Sequence, residues 1–153
     1  MTGLENEHDP GSLWSLKEGE GEDMCATGEK IRCGSTVRLE HMSTARNLHS
    51  HKFDSPVSGR QEISAFGENG EGDTGDNWEL ECESGDEYLR GGRPFFLKHA
   101  DTGIYLYADS RSMFDHNNCR RCPILGQSEI SGAEGRTRNA LWAVHSGYFF
   151  PPD

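Results

Sequence analysis

His49 and His51 stand two residues apart in the run Leu48, His49, Ser50, His51. On a β-strand such a spacing points both imidazoles to one face, where they can chelate a metal if a third ligand is near. No Cys or carboxylate close in sequence clearly completes that set. A structural, hydrogen-bonding role for the pair is therefore favoured over ligand or client contact, and both over metal. His49, Ser50 and His51 are still the first residues to test for ligand contact. The cysteines offer a second chemistry. Five is an odd number, so at least one thiol stays free or pairs outside the chain. Cys25 and Cys33 flank a turn at Thr27 and Gly28 and could face each other across a hairpin in an oxidising compartment, which makes them the candidate disulfide. Cys82 falls on the apolar face of its strand and reads as a buried thiol. Cys119 and Cys122 form a C-x-x-C, a spacing shared by redox and zinc sites. No further Cys or His pair sits at zinc-finger distance and no βαβ context surrounds it, so an inert or locally bridged loop is favoured.

Glu68 to Glu87 carry nine acidic side chains and no Lys or Arg. A calcium loop of EF-hand type read from Asn69 has its first oxygens in place, but its sixth position, which needs glycine, is Thr74. The run reads as a solvated loop and strand face that can steer basic partner segments. No G-x-S-x-G, H-E-x-x-H, P-loop or Rossmann fingerprint is found, and no acid and base pair can be chosen among the carboxylates, so the chain is not expected to be an enzyme or to carry a cofactor.

The elements that must position these residues are bounded by composition. A chain of 153 residues and 17.0 kDa has room for one domain. Mean hydropathy is −0.79, and the longest apolar run, Ala140 to Val144, is far short of the roughly 20 residues of a membrane helix, so no membrane insertion is expected. A net charge of −11 repels phosphate backbones and argues against nucleic acid as partner. Nineteen glycines and six prolines are more turn-makers than a helical bundle tolerates. Met1 to Gly21 is acidic and Gly-rich rather than basic then apolar, and Tyr148 to Asp153 is no prenylation box, retention tetrapeptide or peroxisomal tripeptide.

An internal repeat decides the architecture. Leu39, His41 and Thr44 recur as Leu97, His99 and Thr102 at an offset of 58, as do Leu48 and Leu106. Pro56 to Ser64 recur as Pro123 to Ser131 at an offset of 67, so nine residues are inserted between Leu106 and Pro123. Trp14, Trp78 and Trp142 are each 64 apart and occupy one repeat position. Trp14 leaves 13 upstream residues where Gly34 to Trp78 spends 44, so about 30 residues of a first repeat are missing by this count. Within a repeat the apolar period is two, as in Trp78, Leu80, Cys82 against Glu79, Glu81, Glu83, which predicts half-buried antiparallel strands and almost no helix. His41 and His99 sit at strand-to-turn junctions and are expected to bind backbone and fix the turn. A barrel lacking most of one lobe would leave an open edge of unpaired strand.

Leu48, His49, Ser50, His51, then Ser55 to Gly59, Gln61 to Gly67, Gly70 to Asp73 and Asp76, Asn77, Trp78 resemble the MIR repeat, and the chain is most similar to the stromal-cell-derived-factor-2 family. The resemblance implies an all-β fold, a β-trefoil of MIR repeats with an incomplete first lobe: residues 1–22 ending the first repeat, 23–86 the second, 87–150 the third. It implies an endoplasmic reticulum luminal protein, working with a luminal J-domain co-chaperone and Hsp70 on misfolded clients. Two other readings go with it: a lectin-like module for mannosylated or hydroxyl-rich ligands, and a non-catalytic fragment of a protein O-mannosyltransferase. The third repeat has Leu106, Tyr107, Ala108, Asp109 where the second has Leu48, His49, Ser50, His51, so a site built on the histidine pair exists at most once.

Overall fold

The computed structural model describes residues 1–3, 10–83 and 85–147, so the C-terminal run from Tyr148 lies outside the described residues. Among the described residues nine strands are present: β1 Thr2–Gly3, β2 Trp14–Glu18, β3 Thr36–His41, β4 Arg46–Asp54, β5 Gln61–Phe66, β6 Trp78–Cys82, β7 Phe95–His99, β8 Tyr105–Met113 and β9 Ser128–Ala133. The helical content of the described residues is three 3-10 turns of three residues each. The alternation is realised in β6: Trp78 and Leu80 are fully buried, while Glu79 and Glu81, each following one of them, are half-buried. Among the described residues no helix is long and apolar enough to cross a membrane.

Seven strands close into an antiparallel ring in the order β9, β5, β4, β3, β6, β7, β8 and back to β9, with β1 added on β9 and β2 on β3. The expected open edge is thereby corrected. The two long hairpins meet each other directly: β9 pairs β5 through Gln61 with Gly132 and Glu62 with Ser131, and on its other side pairs β8 from Tyr105 to Ala108. Each ladder uses the backbone groups that an incomplete barrel would have left unpaired.

The same contacts recur at the repeat offsets. The 3-10 turns Pro10–Ser12, Thr74–Asp76 and Arg138–Ala140 each precede a tryptophan. Trp14 pairs with His41 and Trp78 with His99, the rings 4.9 Å apart in both cases. Trp78 Nε1–H donates to the Leu48 carbonyl and Trp142 Nε1–H to the Leu106 carbonyl, each at 2.9 Å. Nδ1 of His41 and of His99 meets the hydroxyl of Thr44 and Thr102, and Nε2 lies 2.9 Å from the carbonyl of Gly11 and Gly75. Each histidine thus ties the turn after its own strand to the 3-10 turn ahead of the paired tryptophan. Leu48, Ile63, Leu97, Leu106 and Ile130 fill one core with Trp78, and Trp14, Leu39 and Trp142 pack against it half-buried.

The disulfide pattern departs from the sequence expectation. Cys33 is bonded to Cys82, not Cys25, with their Cα atoms 5.6 Å apart, and Cys25 is an exposed free thiol. The segment before β3 runs alongside the end of β6, where Gly34 N–H donates to Leu80 O and Leu80 N–H to Ser35 O, so Cys33 is laid against Cys82. Cys82 is therefore no free buried thiol. Cys25 Sγ instead lies 3.2 Å from the Glu18 carboxylate, and partial burial and that carboxylate push its thiol pKa up. Cys119 and Cys122 are bridged within their loop.

Candidate functional site

The β4–β5 hairpin carries the histidine pair. His49 and His51 share a face as the strand period requires, their rings 5.1 Å apart. Ser50 does not join them. It is buried, its hydroxyl donating to the Glu62 carbonyl and accepting from the Gln61 side-chain amide, each at 2.8 Å. His51 Nε2 meets the Glu62 carboxylate at 2.9 Å on the facing strand. Phe53 lies edge-on to His51 at 4.4 Å and Phe66 lies against His49 at 4.7 Å. The outcome is a strip of four rings in the order Phe66, His49, His51, Phe53, with the buried imidazole of His49 inside it and an exposed phenyl at each end: His49 is 5% exposed, Phe66 45% and Phe53 65%.

Below His49 the 3-10 turn Thr74–Asp76 supplies carboxylates that sequence proximity did not show. Nδ1 of His49 lies 2.9 Å from Oδ1 of Asp76, a residue with no exposed surface. The other oxygen of Asp76 accepts from Asn47 Nδ2 and from Asp73 N–H, each at 3.1 Å. Asp73 caps the turn by accepting from Gly75 N–H, and its Oδ1 lies 3.7 Å from His49 Nδ1. His49, Asp73 and Asp76 bring one ligand atom each within 4.8 Å of the others, so these three could hold a cation. The set holds His49 but not His51, and its carboxylates come from far along the chain rather than from near the pair. Of the nine acids in the acidic run, Asp76 is a buried acceptor rather than part of a solvated face, while Asp73 caps the turn and stays exposed. A signal for Asp76 was present: it stands two residues ahead of Trp78, where the corresponding residue ahead of Trp142 is Ala140.

The β8–β9 hairpin holds no such set. Tyr107 and Asp109 replace His49 and His51, and Asp109 forms a two-oxygen ion pair with Arg111, which with the Arg111 backbone N–H holds its carboxyl well below the usual range. Glu129 on β9, the counterpart of Glu62, is buried. Burial alone would push its pKa up, but bonds from Ser58, Val57 and Ser55 outweigh that and hold it below the usual carboxylate value.

Comparison with known proteins places this geometry. The MIR domain family matches residues 3–142. The chain is 42% identical over 150 residues to a stromal cell-derived factor 2-like protein of Dictyostelium discoideum, covering 98% of this chain and 67% of that one. It is 40% identical over 152 residues to stromal cell-derived factor 2 of Homo sapiens, covering 99% and 67%. The chain thus spans about two thirds of the length of these relatives. It superposes on the crystal structure of the SDF2-like protein from Arabidopsis thaliana with a TM-score of 0.88 at 31% identity, covering 99% of this chain and 80% of that one. A chain of the S. cerevisiae protein O-mannosyltransferase Pmt1-Pmt2 complex bound to the sugar donor gives a TM-score of 0.71 at 26% identity, covering 90% of this chain and 19% of that one. Identity of this level along nearly every residue, on a matching seven-strand ring, makes the chain a member of the stromal cell-derived factor 2 family, built on a MIR domain.

Proposed function

We propose that the protein is a non-enzymatic accessory of luminal chaperones in the endoplasmic reticulum, acting with a J-domain co-chaperone and Hsp70 on misfolded clients. The observation that carries this reading is the 40–42% identity to stromal cell-derived factor 2 proteins over essentially the whole chain. Two disulfides among the described residues suit an oxidising lumen. The exposed phenyl rings of Phe53 and Phe66, set in a chain of net charge −11, give an apolar contact on a protein that stays soluble beside sticky clients. On this reading the ring is a β-trefoil whose first lobe ends at residue 22, with the second and third repeats over 23–86 and 87–150. The repeated tryptophan and histidine bonds support it.

Capture from a luminal extract on the immobilised chain tests the proposal. Recovery of a J-domain protein together with Hsp70 is expected, and recovery of neither would overturn it. A lectin-like function is the second reading, favoured by the likeness to a chain of the mannosyltransferase complex. Binding on a glycan array that is lost in both His49→Ala and His51→Ala would establish that reading instead. A detached mannosyltransferase fragment is less well supported, since identity there is 26% against 40–42%.

A further inference from the structure

The β4–β5 hairpin is closed by a short turn in which Ser55 N–H donates to Arg60 O at 2.6 Å and Gly59 N–H to Ser55 O at 3.1 Å. The β8–β9 hairpin is closed by the same two bonds, Phe114 N–H to Gln127 O at 2.9 Å and Gly126 N–H to Phe114 O at 2.8 Å. Between Ser55 and Gly59 lie three residues, and between Phe114 and Gly126 lie eleven. The inserted loop therefore hangs from a turn that the frame already closes. In it Cys119 and Cys122 are bonded across Arg120 and Arg121 alone. A bridge of three-residue separation constrains little beyond its own loop, whereas Cys33–Cys82 ties segments 49 residues apart.

Three features suit this bridge to exchange. Both cysteines are half-buried at the surface, with both arginines exposed. Arg120 and Arg121, the two residues between the cysteines, put two positive charges in the same short loop, which favours the thiolate that must leave when the bond opens. Arg121 is held at a φ of 62°, a left-handed conformation that a side chain-bearing residue rarely adopts. At the stem of the same loop, Met113, Phe114, His116 and Leu125 line a shallow cleft of about 470 Å³, with Met113 41% exposed.

We propose that Cys119–Cys122 is a thiol–disulfide exchange site whose substrate is a cysteine pair in an unfolded polypeptide, an apolar neighbour of which seats in the stem cleft. A client thiolate attacks one sulfur of the bridge. A client–protein disulfide forms, the Cys119–Cys122 bond breaks, and the other cysteine leaves as a thiolate in the arginine-bearing loop and takes up a proton. The second client cysteine gives up its proton and attacks the client sulfur of the mixed disulfide. The client gains its disulfide, Cys119 and Cys122 end as thiols, and two electrons and two protons have passed from client to bridge.

The test uses the purified chain carrying Cys25→Ser, mixed with an equimolar reduced dithiol peptide that has leucine beside its cysteines. Mass spectrometry is expected to find one peptide disulfide per chain, formed about tenfold faster than with oxidised glutathione at the same concentration. Cys119→Ser with Cys122→Ser should return the rate to background, with circular dichroism checking the fold. Should that variant not fold, alkylation of the unmutated bridge in glutathione buffer decides: Cys119 and Cys122 are expected to label while Cys33–Cys82 stays intact. A rate no faster than glutathione, or two bridges equally resistant, would overturn the proposal. No J-domain protein or Hsp70 is present, so the result stands apart from the chaperone reading.

Discussion

In the β4–β5 region Asn47, His49 and Asp76 form a buried polar network. At the corresponding positions of the β8–β9 region Tyr105, Tyr107 and Ala140 form an apolar cluster with Phe96. Around both, the frame is identical: an indole bonded to a leucine carbonyl, a 3-10 turn ahead of the tryptophan, a hairpin closed by the same two bonds. The frame accepts either filling, so the polar one is not required for the ring to form. Buried polar networks commonly stabilise no better than well-packed apolar side chains of similar volume, because desolvation offsets the attraction. The β4–β5 network has the further cost of a buried Asn47 oxygen with no hydrogen-bond partner. What the network does supply is a fixed His49 ring inside an aromatic strip with an exposed phenyl at each end.

The comparison can be broken by exchanging residues between the two regions. Ala140→Asp would place a carboxylate among aromatic rings without the Asn, His and backbone donors that Asp76 has, and is expected to cost about 4 kcal/mol in urea denaturation. Asp76→Ala strips the donors of Asn47, His49 and Asp73 of their acceptor and should cost about 3 kcal/mol by the same measurement. Combining Asn47→Tyr, His49→Tyr and Asp76→Ala converts one filling to the other. That triple variant should be less destabilised than Asp76→Ala alone, within about 1 kcal/mol of the parent, and a purely additive loss would show that the two regions are not interchangeable.

Two smaller effects sharpen the same contrast. The turn after β3 has Ala45 at a φ of 50° where the turn after β7 has Gly103 at 74°. Ala45→Gly should therefore raise stability by up to about 1 kcal/mol, and Gly103→Ala should lower it by a similar amount. His99, fully buried where His41 is half-exposed, has its pKa held below the usual imidazole value by burial, which outweighs the pull of the Gly75 carbonyl. The unfolded chain then binds a proton more readily than the folded one, so this contribution is complete above pH 6.5 and declines as pH falls below it. The thermal midpoint should drop on acidification through that range, and His99→Asn should flatten this part of the profile.

Much of the frame was legible because it is written in spacing. Trp78 and Leu80 alternate with glutamates, and Trp14, Trp78 and Trp142 keep one interval, so strand character and the repeat of the indole contacts follow from positions along the chain. The candidate site was legible only in part. That His49 and His51 share a face is a property of one strand; that Ser50 turns away follows from the same period. The approach of Asp76 to His49 from 27 residues downstream, and the stacking of Phe66 on the same ring, are not.

The amino-acid sequence by itself determined which residues alternate, which turns recur and that an insertion separates the two hairpins, since these depend on local backbone geometry and on counting. Tertiary structure alone decided that β9 closes the ring against both β5 and β8, that Cys33 takes Cys82 rather than Cys25, and that one copy of the repeat is filled with a histidine–carboxylate network. Those outcomes depend on which strands lie side by side across the ring, and neither the strand period nor the repeat interval fixes that.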